Sequence, residues 1–461
     1  MQTLARDDTC NGPLAYLDFL HQSHWQDLPA STREMAATCF IDLLGVAASG
    51  TRTNLSKIIK EHALEQFASA TSGRSARLLF DGRSCSAAGA ALANGMTIDS
   101  VDAHDGYKPA KGHAGCGLMP GILALYDQYQ SPDTPLSQVL LSTVLGYELA
   151  CRAGVALHAS VPDYHTSGAW VAVALSGVGS RILDLNAQQT REAVGIAEYH
   201  GPRSQMMRCI DHPTMLKDGS GWGAMAGVSA VLLARSGFTG APAITIEADD
   251  VRGYSQDLGT TWLIAEQYFK PFPVCRWAQP AVVASLALQQ EHQFTANDIA
   301  QLTIGSFHES VRLATREPQD TEQAQYSLPY PVAAALVHGE FGLGEIDSLK
   351  LFDEDVLTLS RDIQLKEVDA YNAEFPARRI SDVSIRLKDG RTFESGAVEA
   401  SGDPETPLSA QVLNDKFINY SAPVIGKQRA EKIAMMLRQC VQDDGITLGE
   451  FSELIYPAAD L

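Results

Sequence analysis

Long runs of small apolar residues dominate the chain to about residue 270, and they leave few options but buried helices. Residues 86–98 read SAAGAALANGMTI, and similar alanine- and glycine-rich stretches cover 117–127, 137–158, 168–184 and 220–236. Each run is apolar on most sides, which places a helix inside a core rather than on a surface. Ser31-Thr32-Arg33-Glu34 has the form of a capping box, and Met35, Cys39, Leu43 and Leu44 follow at helical spacing. The pattern changes after Phe269-Lys270-Pro271-Phe272-Pro273. Leu302 and Ile304, then Val383, Ile385 and Leu387, alternate with polar residues, and Asp389-Gly390 predicts a hairpin turn before Arg391-Thr392-Phe393. Ser401-Gly402-Asp403-Pro404 breaks the chain, and helical periodicity returns from Ser409, as in residues 427–441. The expected fold class is mainly α with a smaller α+β domain. A helical domain over 1–270 and 401–461 carries an inserted α+β lid domain over 271–400.

Composition narrows the function. Of 461 residues, 45% are hydrophobic and 20% charged, the balance of a soluble globular protein. A net charge of -20 argues against nucleic acid and anionic membranes as partners, since both need a basic face. The eight cysteines form no CxxC pair, so zinc ribbons and thioredoxin-type motifs are unsupported, and their scatter fits reduced thiols. The N-terminal MQTLARDDTCNG has no apolar h-region, and no apolar run reaches membrane-spanning length. A cytoplasmic enzyme is the expected class.

Five polar patches interrupt this apolar chain. Residues 102–116 hold Asp102, His104, Asp105, Tyr107, Lys108, Lys111 and His113, a density that favours a site over a simple helix cap. In Asp163-Tyr164-His165-Thr166-Ser167-Gly168, Thr166 or Ser167 can cap the next helix, with His165 at its N-terminus. Residues 203–223 supply Arg203, Arg208, His212 and Lys217 before a glycine-rich helix start. Lys270 lies among prolines and aromatics at the domain junction, near Arg276. Tyr326-Ser327-Leu328-Pro329-Tyr330 offers two phenols, either core or proton donors. No GxSxG elbow, GxxxxGK[ST] loop or HExxH motif occurs. Chelation by Asp102, His104, Asp105 and His113 therefore ranks below acid–base chemistry without metal or cofactor.

Taken in this order, the patches resemble the MmgE/PrpD family, which includes 2-methylcitrate dehydratase, cis-aconitate decarboxylase and iminodisuccinate epimerase. The resemblance rests on Asn94-Gly95, Asp102 to Lys108, Gly112 to Gly115, His165, Lys217, Lys270-Pro271, Ser327 to Tyr330, Pro407-Leu408 and Lys416-Phe417. It implies a homodimer with a cleft between a helical domain and a lid, and catalysis with no metal or organic cofactor. It makes Asp102, His113, His165, Lys217, Lys270 and Tyr330 the catalytic candidates. The other basic and phenolic groups of the patches, Tyr107, Lys108, Lys111, Arg208 and Arg276, are read as substrate-binding. His104 stands where the family usually has Asp, and Ala114 replaces a Pro. Gly106 replaces the Thr of the decarboxylase branch, and Lys217 to Gly223 looks closer to the epimerase-like branch.

The expected chemistry is removal and return of a proton α to a carboxylate of a small polycarboxylate such as iminodisuccinate. His113, oriented by Asp102, and Tyr330 are the expected opposed pair, with His165 as substitute, and Lys217, Lys270 and Arg208 stabilise the carbanion. A lyase of the same family, of the dehydratase or decarboxylase type, is the alternative. A non-catalytic polycarboxylate-binding protein is the reading from another class, and a metal hydrolase is a further rival.

Overall fold

The computed structural model describes residues 14–69, 74–347 and 350–457. Cys10 and the whole N-terminal segment read above lie outside them. The chain is mainly helical, with a smaller α+β part. The small-residue runs form the helices Ala87–Asp99, Gly115–Tyr129, Leu136–Ser160, Gly168–Ile182 and Ser220–Arg235. Ser86 caps the first of these, accepting from the Gly89 amide at 3.2 Å. The reason for the small residues is backbone contact. A Cβ on Gly221 would lie 2.4 Å from the Leu92 carbonyl oxygen, one on Gly95 would lie 2.6 Å from Gly221 Cα, and one on Gly223 would lie 2.4 Å from the Gly168 carbonyl oxygen. Helices that touch along their backbones tolerate no added atom. Leu136–Ser160 is long and apolar enough to cross a membrane, but nearly all of it is buried inside the protein.

The capping box at Ser31–Glu34 does not form. The helix Ala30–Gly50 starts two residues early, behind Pro29, and has no side-chain cap. Proline pre-sets a turn-compatible φ there, so Ser31 falls inside the first turn.

The later part of the chain carries a four-stranded sheet. Its central strand Ile299–Ser306 runs parallel to Gln364–Glu367 and antiparallel to Ser381–Leu387, which pairs outward with Thr392–Glu394. Register follows the apolar alternation: Leu302 faces Ile385 and Ile304 faces Val383. The turn at Asp389-Gly390 closes the outer hairpin, with the Leu387 amide donating to the Arg391 carbonyl at 2.8 Å. The helix Gln279–His292 packs on this sheet.

The chain then returns to the helical body. Helix Ala410–Ile425 packs on Ala30–Gly50, where Lys416 Nζ donates to Asp42 Oδ1 and to the Ala103 carbonyl, both at 2.6 Å. Residues 100–114 therefore lie between the body and the segment that follows Tyr268. The Gly106 and Tyr268 backbones pair, and the Phe269 amide donates to the Gly402 carbonyl at 2.9 Å.

Candidate active site

The loop between Ala87–Asp99 and Gly115–Tyr129 is buried, so every polar group on it needs a partner. Asp102 forms an ion pair with the fully buried Lys270, and its amide donates to Gln325 Oε1 at 2.7 Å. The same Gln325 oxygen accepts from Lys217 Nζ at 2.7 Å. Gln325 Nε2 donates to the Ser100 carbonyl at 3.1 Å, so one amide side chain ties the loop to Lys217. Lys217 has φ +50°, a left-handed conformation costly for a side-chain-bearing residue, and its ammonium lies 4.7 Å above the Tyr326 ring.

His113 Nδ1 lies 2.6 Å from the Asp105 carbonyl oxygen. A carbonyl only accepts, so Nδ1 carries the proton and Nε2 is left with a lone pair in the neutral ring. Nε2 is 3.7 Å from Asp218 Oδ2. Burial, reinforced by Lys270 and His104, holds the His113 pKa well below the usual imidazole range. Asp102 thus pairs with Lys270 and does not orient His113; the Asp105 carbonyl does. His104 meets His113 edge to face at 4.4 Å, with Nε2 3.5 Å from Asp99 Oδ1, and burial pushes its pKa down to about 3. Burial opposes ionisation of Asp102 too, but the Lys270 ammonium, with Lys217 behind it, more than offsets this and holds it well below the carboxylate range. Asp99 and Asp218 shift upward, through burial first and, for Asp218, through the other carboxylates. Asp105 is pushed up to about 7 by burial; its carboxylate accepts from the Tyr147 hydroxyl at 2.6 Å.

The structure therefore gathers Asp102, His113, Lys217 and Lys270 from distant parts of the chain. It does not bring Tyr330 to them: that hydroxyl donates to the Glu345 carbonyl at 2.8 Å. Tyr326, four residues earlier, is the phenol that reaches Lys217. His165 stacks on His158 at 6.5 Å, and among the described residues no hydrogen bond or ion pair joins it to the lysines or His113. Ser167 makes no cap; its Oγ accepts from the His113 amide and donates to Asp218 Oδ2, both at 2.9 Å. Of the expected binding groups, Lys108 is paired with Glu405 at 3.0 Å and Arg276 with Asp403 at 3.0 Å. Both are already neutralised, because the loop around 401–405 brings acids against them. Arg208 is exposed, Tyr107 is buried in a backbone pairing with Gly112, and Lys111 Nζ lies 4.6 Å above the Tyr164 ring.

Sequence reasoning missed Gln325, Tyr268 and Asp99. Gln325 immediately precedes the Tyr326 patch and Tyr268 lies two residues before Lys270, so adjacency was the only signal. Asp102, His104 and His113 place possible ligand atoms within 4.8 Å of one another, as do Asp99, His104 and Cys116. A cation at the first set would compete with the Lys270 ammonium for Asp102, whereas acid–base chemistry uses that lysine directly. A cavity of about 520 Å³ lies elsewhere, between Tyr16, Phe19, Arg252 and Trp262. The catalytic candidates themselves are shut in.

Residues 16–257 match the MmgE/PrpD N-terminal domain and residues 272–440 match the MmgE/PrpD C-terminal domain. The chain belongs to the MmgE/PrpD family. Within the family it is similar to the cis-aconitate decarboxylase of Mus musculus, 24% identical over 375 residues covering 76% of this chain and 75% of that protein. The Homo sapiens cis-aconitate decarboxylase is 23% identical, with 76% of each chain covered. A cis-aconitate decarboxylase-like protein of Aspergillus oryzae is 22% identical over 75% of this chain and 77% of its own. These relatives carry the name of a lyase, not of an epimerase.

Proposed function

We propose that the chain is a cofactor-independent lyase that removes carbon dioxide from a small unsaturated polycarboxylate of the cis-aconitate type. The observation that carries this is two fully buried ammonium groups, Lys217 and Lys270, beside a neutral imidazole with a free Nε2. Breaking the carbon–carboxylate bond leaves its electron pair on a carbon conjugated to another carboxylate. That charge is unstable in water and is stabilised by ammonium groups fixed in a dry site. A proton from the site then forms the new C–H bond, so the carboxylate leaves as carbon dioxide and is replaced by hydrogen. His113 and Tyr326 are the groups that move this proton, and Asp102 keeps Lys270 charged: burial works against that ammonium, but Asp102 more than compensates. The helical part (1–270 and 401–461) serves as the body and 271–400 as the lid, in a homodimer.

The epimerase reading stays as a second one, favoured by Gly106 and by the Lys217–Gly223 segment. It shares the stabilised carbanion: His113 Nε2 takes the proton and Tyr326 returns one to the other face. Incubation with cis-aconitate and with iminodisuccinate in deuterated buffer separates them. Carbon dioxide release with one deuterium in the product supports the lyase. Deuterium uptake without loss of a carboxylate supports the epimerase. Binding without either, weakened by Lys217→Ala, would leave a binding protein and overturn both.

A further inference from the structure

Arg378 and Arg379 are adjacent and behave oppositely. Arg378 is exposed and paired with Glu399 at 2.8 Å. Arg379 is 4% exposed, and its Nε and Nη1 are buried without a hydrogen-bond partner. Among the described residues no carboxylate pairs with it. A buried guanidinium with unsatisfied N–H groups is costly, and it persists where an anion completes it. Its place is fixed by the strand Ser381–Leu387, which begins two residues later.

The surroundings point the same way. The Arg379 guanidinium stacks on the Tyr268 ring at 5.2 Å, and Arg276 stacks on the same ring at 5.0 Å. Tyr268 in turn meets the His113 ring edge to face at 6.1 Å. Arg379 is therefore one aromatic ring away from the imidazole with the free lone pair. Its charge also acts on Lys111 and Tyr164. Lys111 has φ +52°, and its ammonium rests on Tyr164 and makes no ion pair among the described residues. Of the three cations around Tyr268 and Tyr164, only Arg276 is neutralised, by Asp403. Glu309 acts on Lys111 through space without pairing with it.

We propose that Arg379, with Lys111 beside it, forms a subsite for a carboxylate of the ligand that does not react, contributed by the lid across the seam from His113. This deepens the polycarboxylate reading above and rests on it for the ligand class. The fork of a guanidinium suits a carboxylate better than a point charge does, so lysine is an incomplete substitute.

The test is calorimetric titration of the full chain with propane-1,2,3-tricarboxylate, a saturated acid with no double bond to react across. Arg379→Ala is expected to weaken binding about 30- to 100-fold, Arg379→Lys about tenfold, and Lys111→Ala by a smaller factor, all with unchanged unfolding temperature. Added guanidinium ion is expected to restore part of the affinity of Arg379→Ala. If that variant unfolds, Arg379→Lys and Lys111→Ala carry the test. Wild type that does not bind the tricarboxylate, or folded variants that bind within threefold of wild type, would overturn the subsite. The function fails separately: Arg379-dependent binding without turnover of any polycarboxylate would keep the subsite and sink the lyase. Turnover of cis-aconitate unaffected in Arg379→Ala would do the reverse.

Discussion

The Lys217 ammonium hydrogen-bonds to Gln325 alone among the described residues, so its removal tests chemistry with little structural cost. Lys217→Ala is expected to lower kcat by roughly 10³-fold, in line with loss of a charge-stabilising group, while the protein stays folded by circular dichroism. The two tyrosines separate cleanly. Tyr326→Phe should lower kcat at least about 10²-fold, the lower end for a lost proton-transfer group, whereas Tyr330→Phe should cost about 1 kcal/mol of stability through the Glu345 hydrogen bond and leave turnover intact. Asp105 gives a pH test. Its pKa is raised to about 7 from an ordinary value near 4, so the stability it contributes is complete below the lower value and lost as pH rises through the upper one. Asp105→Asn should therefore gain in unfolding midpoint relative to wild type between about pH 4 and pH 7; a constant difference would refute the assignment. Asp102, His113, Lys217 and Lys270 were legible because polar residues stand out in an apolar chain. The Asp102–Lys270 pairing and the contact of Lys217 with Tyr326 rather than Tyr330 were not, because both depend on where a loop folds in three dimensions.

The helices were legible for a simple reason: runs of alanine and glycine have no other stable use in a chain with this much apolar sequence. Their ends were less so, as Ser31 shows, since Pro29 started the helix first. The strands Ser381–Leu387 and Thr392–Glu394 were legible from alternation and from Asp389-Gly390 between them. Backbone contact between Ala87–Asp99 and Ser220–Arg235 carries a prediction at this scale. Gly221→Ala places a methyl 2.4 Å from the Leu92 oxygen, and both Asp99 and Lys217 lie at the ends of these helices. It should destabilise the fold by roughly 1–3 kcal/mol in denaturant titration and lower activity through displacement of Lys217. Wild-type stability would show that the helices separate more easily than their contact implies.

The molecule carries a formal charge of -20, yet it buries Lys217, Lys270, Arg276 and Arg379 where its two parts meet. Buried carboxylates, Asp99, Asp102, Asp105 and Asp218, stand among these cations. The catalytic candidates are buried, and the Arg276–Asp403 pair and the Gln325 bridge tie residues 271–400 to the rest of the chain. This convergence could not be read from spacing along the chain, since Gln325 and Lys217 are 108 positions apart. The most direct test is proton nuclear magnetic resonance of cis-aconitate turned over in deuterated buffer by wild type, Lys217→Ala and Lys270→Ala. The expected result is carbon dioxide release with one deuterium in the product for wild type, and loss of at least about 10³-fold in both variants. Turnover in either variant within tenfold of wild type would contradict a site built on two buried ammonium groups.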